Sequence, residues 1–412
     1  MAGGLQAPSR QNIRTVTVWT HEYVSSPVFR VLQDAADEFN AHHSGYKVDL
    51  VSSLYRDYER WVHAAALNGS LPCLLEFDGP FLQELAWYGY LQPIERFIPP
   101  RMLADFLSSI RAQGTYEGHL YSLGQYESGL ALWGNRRDLA RAGVRIPNLR
   151  KPWSLAEFEQ ALQRLQALPH IEHAIDMGAY SASSEFYSYA FAPILQGFGG
   201  DLIDRKSGDS ARSTLAGPHS VEAMKHFQLW FARGWASASL DRAAALARGK
   251  SALAWGGNWE YWDYRKTLGT NLVLLPLPDF GHGVKSGVGS WTWGISSTCP
   301  EASAAGEFLR LLLSGTQVLR MSVAHATMPS RRSVIERSSL YGVNGPLRLF
   351  VEQIDLQMAV PRPATPAYGT IRQAFASATA DIIAGGKVET ALREAATRID
   401  NEIALNHGYQ AE

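Results

Sequence analysis

Apolar and polar positions alternate between two periods along this chain. Arg14-Thr-Val-Thr-Val-Trp-Thr20 is a β-branched run of strand length. Ser25-Ser26-Pro27 then offers an N-cap and a first-turn proline, and Val28, Leu32, Ala35, Ala36 and Phe39 stripe one face of an amphipathic helix. Ser44-Gly45 stops that helix, and Tyr46-Lys-Val-Asp-Leu-Val51 alternates as a second strand. Strand, helix, strand is the unit of a parallel sheet covered by helices. The rhythm recurs. Ser154 and Glu157 make a capping box ahead of Phe158, Leu162 and Leu165. Val221, Met224, Phe227 and Phe231 stripe another helix. Two more follow late in the chain, on Ile371, Phe375, Ala378 and Ile382, then on Val388, Leu392, Ala395, Ile399 and Ile403. The fold class is therefore α/β. Glycine- and proline-rich stretches near 281–287 and 329–345 are too short to tether independent domains.

Length sharpens this picture. A chain of 412 residues exceeds one ordinary domain and suits two lobes, and 46% apolar residues suffice for a sizeable core. Lysine plus arginine number 38 against 39 acidic residues, a net charge of −1, so there is no basic field for nucleic acid or anionic lipid. Aromatic residues are abundant, with 12 Trp, 17 Tyr and 16 Phe. No stretch reaches the roughly 18 apolar residues of a membrane span. The start, Met1-Ala-Gly-Gly-Leu-Gln-Ala-Pro, lacks a charged segment followed by an apolar one, so the sequence fits a cytoplasmic protein or a mature exported form without its leader. Cys73 and Cys299 lack metal-ligand spacing and decide little: two such residues are more often buried small apolar groups than a bridge, and the sequence leaves the pairing open.

Motifs for common chemistries are missing. There is no phosphate-cradling glycine loop ending in Lys-Ser/Thr, no Gly-x-Gly-x-x-Gly after a strand, and no Gly-x-Ser-x-Gly elbow. His42-His43 ends a helix with its two rings facing different ways, and His170-Ile-Glu-His173 has the short spacing of a solvated loop. Neither reads as a metal site, and no cofactor is indicated.

What the chain does carry is carboxylates and arginine beside flat rings, at loop positions just after predicted strands, where open parallel sheets hold ligands. These are Trp19-Thr-His-Glu22, Leu74-Leu-Glu-Phe-Asp78-Gly-Pro80, Tyr126-Glu127, and Ser251-Ala-Leu-Ala-Trp255-Gly-Gly-Asn-Trp259-Glu-Tyr-Trp262. Ser290-Trp291-Thr-Trp293 and Pro361-Arg362-Pro363 join them. Paired sugar hydroxyls suit the two in-plane hydrogen bonds of a carboxylate or guanidinium, and the C–H faces of a pyranose lie flat on indole or phenol rings. A sugar is the ligand these residue types answer.

In their order, these motifs resemble the family-one solute-binding proteins that feed carbohydrate ABC transporters, from Thr15 to about Asn406. The stretch from Asp78 to Pro93 resembles that family's segment of aspartate, helix and Gly-x-Leu-x-Pro. Arg248-Gly-Lys-Ser-Ala-Leu-Ala-Trp-Gly-Gly-Asn-Trp259 resembles its Gly-Lys-x-Ala strand. Ala326-Thr-Met-Pro-Ser-Arg331 and Pro361-Arg362-Pro363 are similar to its two proline-arginine turns. The resemblance implies a two-lobed, periplasmic-binding-protein-like fold of type II, with a ligand cleft between lobes. Its three hinge crossings fall near residues 124–127, 282–290 and 331–345. One lobe then takes residues 13–125 and 290–333, and the other 126–289 and 334–412.

Trehalose- and maltose-binding members look most similar. Matching their motifs, the resemblance implies ligand contacts from Glu22, Arg56, Asp78, Glu127 and Arg362 to sugar hydroxyls, and ring stacking on Trp259 and Trp291. Trp255 is an alternative to Trp259, Tyr126 accompanies Glu127, and Gly289 and Ser290 form the turn that leads into Trp291. The excess of carboxylates over arginines favours a neutral disaccharide or short oligosaccharide over a phosphorylated ligand. A monomeric receptor outside the cytoplasm follows, periplasmic or lipid-anchored, which hands its ligand to transmembrane permease subunits. The rival from another class is a carbohydrate-active enzyme with Glu22, Asp78 or Glu127 as a carboxylate pair across a glycosidic bond. Receptors for other polyols or glycerol-phosphate-type ligands, and a sensor's ligand-binding partner, complete the alternatives.

Overall fold

The computed structural model describes residues 13–52, 55–179, 184–208, 210–237 and 245–409, without the side chains of 55–57 and 184. The chain opens with β1 (Arg14–Thr20), α1 (Pro27–His42), β2 (Tyr46–Ser52), α2 (Tyr55–Leu67) and β3 (Leu74–Asp78). Ser26 caps α1 by accepting from the Phe29 N–H, proline occupies the first turn, and Val28, Leu32, Ala35, Ala36 and Phe39 are buried. After a passage of short elements the chain runs through β4 (Tyr126–Glu127) into β5 (Leu130–Asn135).

A second lobe follows, with α3 (Leu155–Gln166), β6 (His173–Asp176), α4 (Ser184–Gly197), α5 (Pro218–Ala232), β7 (Ser251–Gly257), α6 (Tyr261–Leu268) and β8 (Leu272–Leu275). The capping box of Ser154 and Glu157 forms at the start of α3. The chain returns through β9 (Ser286–Val288) to β10 (Trp291–Ser296), then α7 (Ala302–Leu312), α8 (Gly315–His325) and β11 (Met328–Pro329). It ends with α9 (Arg348–Asp355), β12 (Ala359–Pro361), α10 (Tyr368–Ile383) and α11 (Val388–Leu405).

Two sheets organise the lobes. The first runs β2-β1-β3-β10 and then Leu91–Gln92, with Ser122–Leu123 also paired to β10. Its strands β1, β2 and β3 are parallel, while β10 is antiparallel to β3, so Trp291 lies opposite Asp78 and Trp293 opposite Glu76. The second sheet runs Ala236–Ser237, β6, β7, β5, β8. Between the sheets, β4 pairs with β11 and β9 pairs with β12. Val16, Val18, Leu32, Phe39, Phe308 and Leu309 lie in the first lobe's core. Phe191, Phe227, Trp230, Ile371, Phe375 and Leu392 lie in the second's.

The cysteines settle what the sequence left open. Cys73 and Cys299 form a disulfide with Cα atoms 4.5 Å apart, although 226 positions separate them in sequence. The antiparallel pairing of β3 with β10 brings them together: Leu74 lies opposite Ile295, and the Ser296 N–H donates to the Cys73 carbonyl at 3.0 Å. His173 is likewise not in a loop but opens β6, with Nδ1 2.9 Å from the Gly234 carbonyl.

Candidate functional site

The carboxyl ends of β1 and β3 and the start of β10 meet on one wall of the first lobe. Glu22, just past β1, is 8% exposed, and its Oε2 accepts from Ser26 Oγ at 3.0 Å. Burial holds its carboxyl above the usual range, against the pull of His21. The His21 ring lies flat on the Trp291 indole, with centroids 3.5 Å apart and planes 10° from parallel. Behind them, Glu76 Oε2 accepts from Thr20 Oγ1 at 2.6 Å and sits 2.8 Å from His21 Nδ1. Asp78 ends β3, and the next residues turn at once into a short helix, Gly79–Phe81. The side chain of Arg56, in the first turn of α2, lies outside the described residues.

The connections between sheets form the floor. Glu127 in β4 has no exposed surface, and three donors occupy both of its oxygens. Ser109 Oγ reaches Oε2 at 2.6 Å, while the N–H groups of Gly289 and Ser128 reach Oε1 at 2.9 and 3.1 Å. Burial nevertheless pushes this carboxyl up to about 7. Glu127 thus braces the first connection against the second instead of projecting a free carboxylate. Its neighbour Tyr126 is 2% exposed and turns its ring edge-on to His325. Gly289 has φ +117°, and a Cβ there would stand 2.6 Å from Gln113 Oε1, so glycine is required on both counts. The Gln113 amide clamps Ser290, accepting from its N–H at 3.1 Å and donating to its carbonyl at 2.8 Å.

The opposite wall comes from the second lobe. Strand β7 ends in two glycines because side chains from the next turn lie over both: a Cβ on Gly257 would come within 2.2 Å of the half-buried Trp259 ring, and one on Gly256 would meet the Glu260 carboxyl. Trp259 leans on Tyr189, with ring centroids 5.8 Å apart. Trp255, the alternative stacking residue, is not in this wall. It is 2% exposed in the second lobe's core and donates its indole N–H to the Ala190 carbonyl at 2.9 Å.

Arg362 reaches across the cleft. Its two terminal nitrogens bond both oxygens of Asp78 at 2.8 Å, a bidentate pair between lobes. The same guanidinium bonds Glu185 on α4 and stands 5.0 Å from the Tyr189 ring centroid, while Tyr368 donates to Glu185 at 2.7 Å. Burial pushes the Glu185 carboxyl up, Arg362 opposing and Asp78 adding to the shift. A second ion pair also joins the lobes, Arg372 to Glu59 at 2.6 Å, and the Trp262 indole N–H donates to the Val323 carbonyl at 2.9 Å. Beside Arg362 lies a cavity of about 510 Å³ between Gly79, Pro80 and Gln113 on one side and Ile203, Arg205 and Pro363 on the other. None of the described residues that line it is aromatic.

The structure therefore joins Glu22, through His21 and the Trp291 ring stacked on it, to Asp78 and Arg362, with Gln113 holding Ser290 beside Gly289 and Trp259 joined through Tyr189. Glu127 and Tyr126 are buried in the connecting strand. His21, Glu76, Gln113, Glu185, Tyr189 and Tyr368 escape the sequence reading. The signal for Glu76 was a carboxylate in the middle of an otherwise apolar strand, Leu74-Leu-Glu-Phe-Asp78, all five residues of which are buried. Among the described residues no group of three metal-ligating side chains occurs.

Known proteins agree with this architecture. An uncharacterized lipoprotein from the oleD 5′ region of Streptomyces antibioticus is 22% identical over 324 residues, covering 75% of this chain and 69% of that one. The maltotriose-binding protein of Pyrococcus abyssi is 22% identical over 264 residues, 64% of this chain, which spans about half of that protein (53%). The GacH receptor of Streptomyces glaucescens, solved unliganded and with acarbose, shares the fold with a TM-score of 0.77 at 23% identity, covering 96% of this chain and 98% of that one. The family described as bacterial extracellular solute-binding protein matches residues 34–341, well over half of the chain, and the protein belongs to that family.

Proposed function

We propose that the protein is a receptor outside the cytoplasm that encloses a neutral oligosaccharide, of the maltose, trehalose or maltotriose type, between its lobes. It then delivers that ligand to the permease subunits of an ABC importer. The observation that carries this reading is the run of contacts from Glu22 through His21 and the Trp291 ring to Asp78 and its bidentate pair with Arg362. In-plane pairs of acceptors and donors fit sugar hydroxyls, and indole faces fit the apolar faces of the rings. Relatives that bind maltotriose and acarbose support the ligand class. The disulfide supports an oxidising compartment, and the lipoprotein relative supports a lipid anchor as one mode of attachment. A receptor that must present its closed cleft to a permease is read as a monomer.

The enzymatic alternative needs an acid and a second carboxylate free to act across a glycosidic bond. Both oxygens of Asp78 are tied to Arg362, and both oxygens of Glu127 are occupied by donors. That arrangement favours holding a ligand over cleaving one. Calorimetric titration with trehalose, maltose, maltotriose, sucrose and glucose, with glycerol 3-phosphate as control, tests the reading. Micromolar binding of one neutral sugar, recovered intact by chromatography, is the expected result. Silence across the panel would discard the ligand class, and a hydrolysed sugar would discard the receptor.

A further inference from the structure

A buried acid and a buried imidazole stand directly behind Trp291, and the ligand contacts above give them no task. Glu76 is 2% exposed and His21 6%. Glu76 Oε2 already accepts from Thr20 Oγ1 at 2.6 Å, so its 2.8 Å contact with His21 Nδ1 places a proton on that nitrogen. The other ring nitrogen, Nε2, is 3.5 Å from Glu22 Oε1. The flat of the ring rests on the Trp291 indole. One imidazole thus touches the hidden acid, the cleft acid and the aromatic platform at once.

Charge accounting favours the protonated ring. A carboxylate as buried as Glu76 is costly without a counter-ion, and a cation on the face of an indole is stabilised by it. Burial alone would drive His21 toward the neutral form. Glu76, through charge and hydrogen bond, followed by Glu22 and Asp78, outweighs burial and raises the imidazole above 6.5. Among the described residues the other titratable groups facing it are Tyr58 on α2, with its ring centroid at 6.2 Å, and His325 on α8. Burial and then His21 itself lower His325 to about 4, which leaves that ring neutral.

We propose that His21 is the positioning residue of this wall: held by Glu76 as an imidazolium, it fixes the plane of Trp291 and the direction of Glu22, and so sets ligand affinity without touching ligand. This rests on the reading that Trp291 and Glu22 contact the sugar. Without the imidazolium, Glu22 and Glu76 become neighbouring carboxylates whose shared contact is gone, and the indole loses the ring that backs it.

The test uses the full chain as wild type, His21→Phe, His21→Gln, Glu76→Gln and Trp291→Phe. Trehalose and maltotriose are titrated by calorimetry, and tryptophan emission is followed from about pH 5.5 to about pH 9.5. An imidazolium in face contact quenches indole emission, so wild-type emission should step upward as His21 loses its proton. The step should vanish in His21→Phe and in Trp291→Phe, and move to lower pH in Glu76→Gln, which keeps an acceptor but not the charge. Wild-type affinity should fall across the same step. His21→Phe, which keeps a stacked ring, and His21→Gln, which keeps a donor, should each bind about tenfold more weakly below it. A step that survives in His21→Phe, or wild-type affinity in both His21 variants, overturns the proposal. If the wild type binds neither sugar, the ligand reading falls alone. The emission step then still decides: confined to chains with both His21 and Trp291 it upholds the positioning contact, and otherwise it overturns it.

Discussion

Trp259 stands where β7 breaks into glycine, its ring over Gly257 and against Tyr189. Replacing it with alanine removes one flat apolar surface from the second lobe's wall. Affinity for the bound sugar should then drop by about 1–3 kcal/mol in calorimetry. Unchanged affinity would take Trp259 out of the site. Glu127 makes a different kind of prediction, because its charge is buried beneath the cleft. Its carboxyl titrates near 4.5 when unfolded and near 7 in the fold, so the fold prefers the protonated form, and that stability is lost as pH rises through about 7. His21, raised above 6.5, acts in the same direction. His325, lowered to about 4, acts oppositely, but only between about 4 and 6.5. Burial also raises Glu260, to about 8, and Glu185, to about 7, in the same direction as Glu127. Urea midpoints should therefore decline between about pH 4.5 and about pH 8, and Glu127→Gln should flatten the part of that decline below about pH 7; a flat wild-type profile would contradict it. At this scale the sequence offered Glu22, Asp78, Trp291 and Arg362, whose local motifs are legible, and the structure connects them through His21 and one ion pair. It missed His21, Glu76 and Glu185, whose importance lies in partners far along the chain: Glu185 meets Arg362 across 177 positions.

Elements were easier to read than contacts between them. Periodicity located α1 from its stripe, and the caps of α1 and α3 are formed by the serines that their positions suggest, because those signals are local. Burial of Trp255 was hidden because a fully buried strand has no alternation to show which face is inward, and all seven residues of β7 are buried. The disulfide was hidden for a similar reason. Nothing local joins Cys73 to Cys299 until β3 and β10 pair, a contact made only after the chain has visited the second lobe and returned. The bridge closes a loop that includes most of that lobe. Removing it by Cys73→Ala with Cys299→Ala should cost about 2–5 kcal/mol of stability, since the open chain regains the conformations the loop denied it. Thermal melts of the double variant, with and without reductant, measure this. If reductant lowers the wild-type midpoint but not that of the double variant, the loss belongs to the bridge; an equal shift in both would assign it elsewhere.

Across the whole molecule, the lobes are joined by bonds of two kinds. Arg362 with Asp78 sits among the proposed ligand contacts, whereas Arg372 with Glu59 borders them and Trp262 with Val323 involves none of them. The second group separates closure from binding. A ligand gripped by both lobes binds the closed arrangement, and its apparent affinity is reduced by whatever fraction of the protein is open. Arg372 lies over the Phe81 ring at 4.6 Å, and its side chain and that of Glu59 are only 11% and 28% exposed. Losing that pair should cost more than the roughly 0–1 kcal/mol of a fully exposed pair and less than the about 3–5 kcal/mol of a fully buried one. A penalty of about 1–2 kcal/mol on the closed state would weaken ligand binding by roughly five- to thirty-fold wherever closure is not already complete. Glu59→Gln should show that loss in calorimetry, together with a larger radius of gyration by X-ray scattering in the absence of sugar and the wild-type radius at saturation. Weaker binding with an unchanged unliganded radius would make Glu59 a ligand contact instead. Unchanged affinity with an unchanged radius would mean that the pair across the cleft does not govern closure, leaving that role to Arg362 and the sugar.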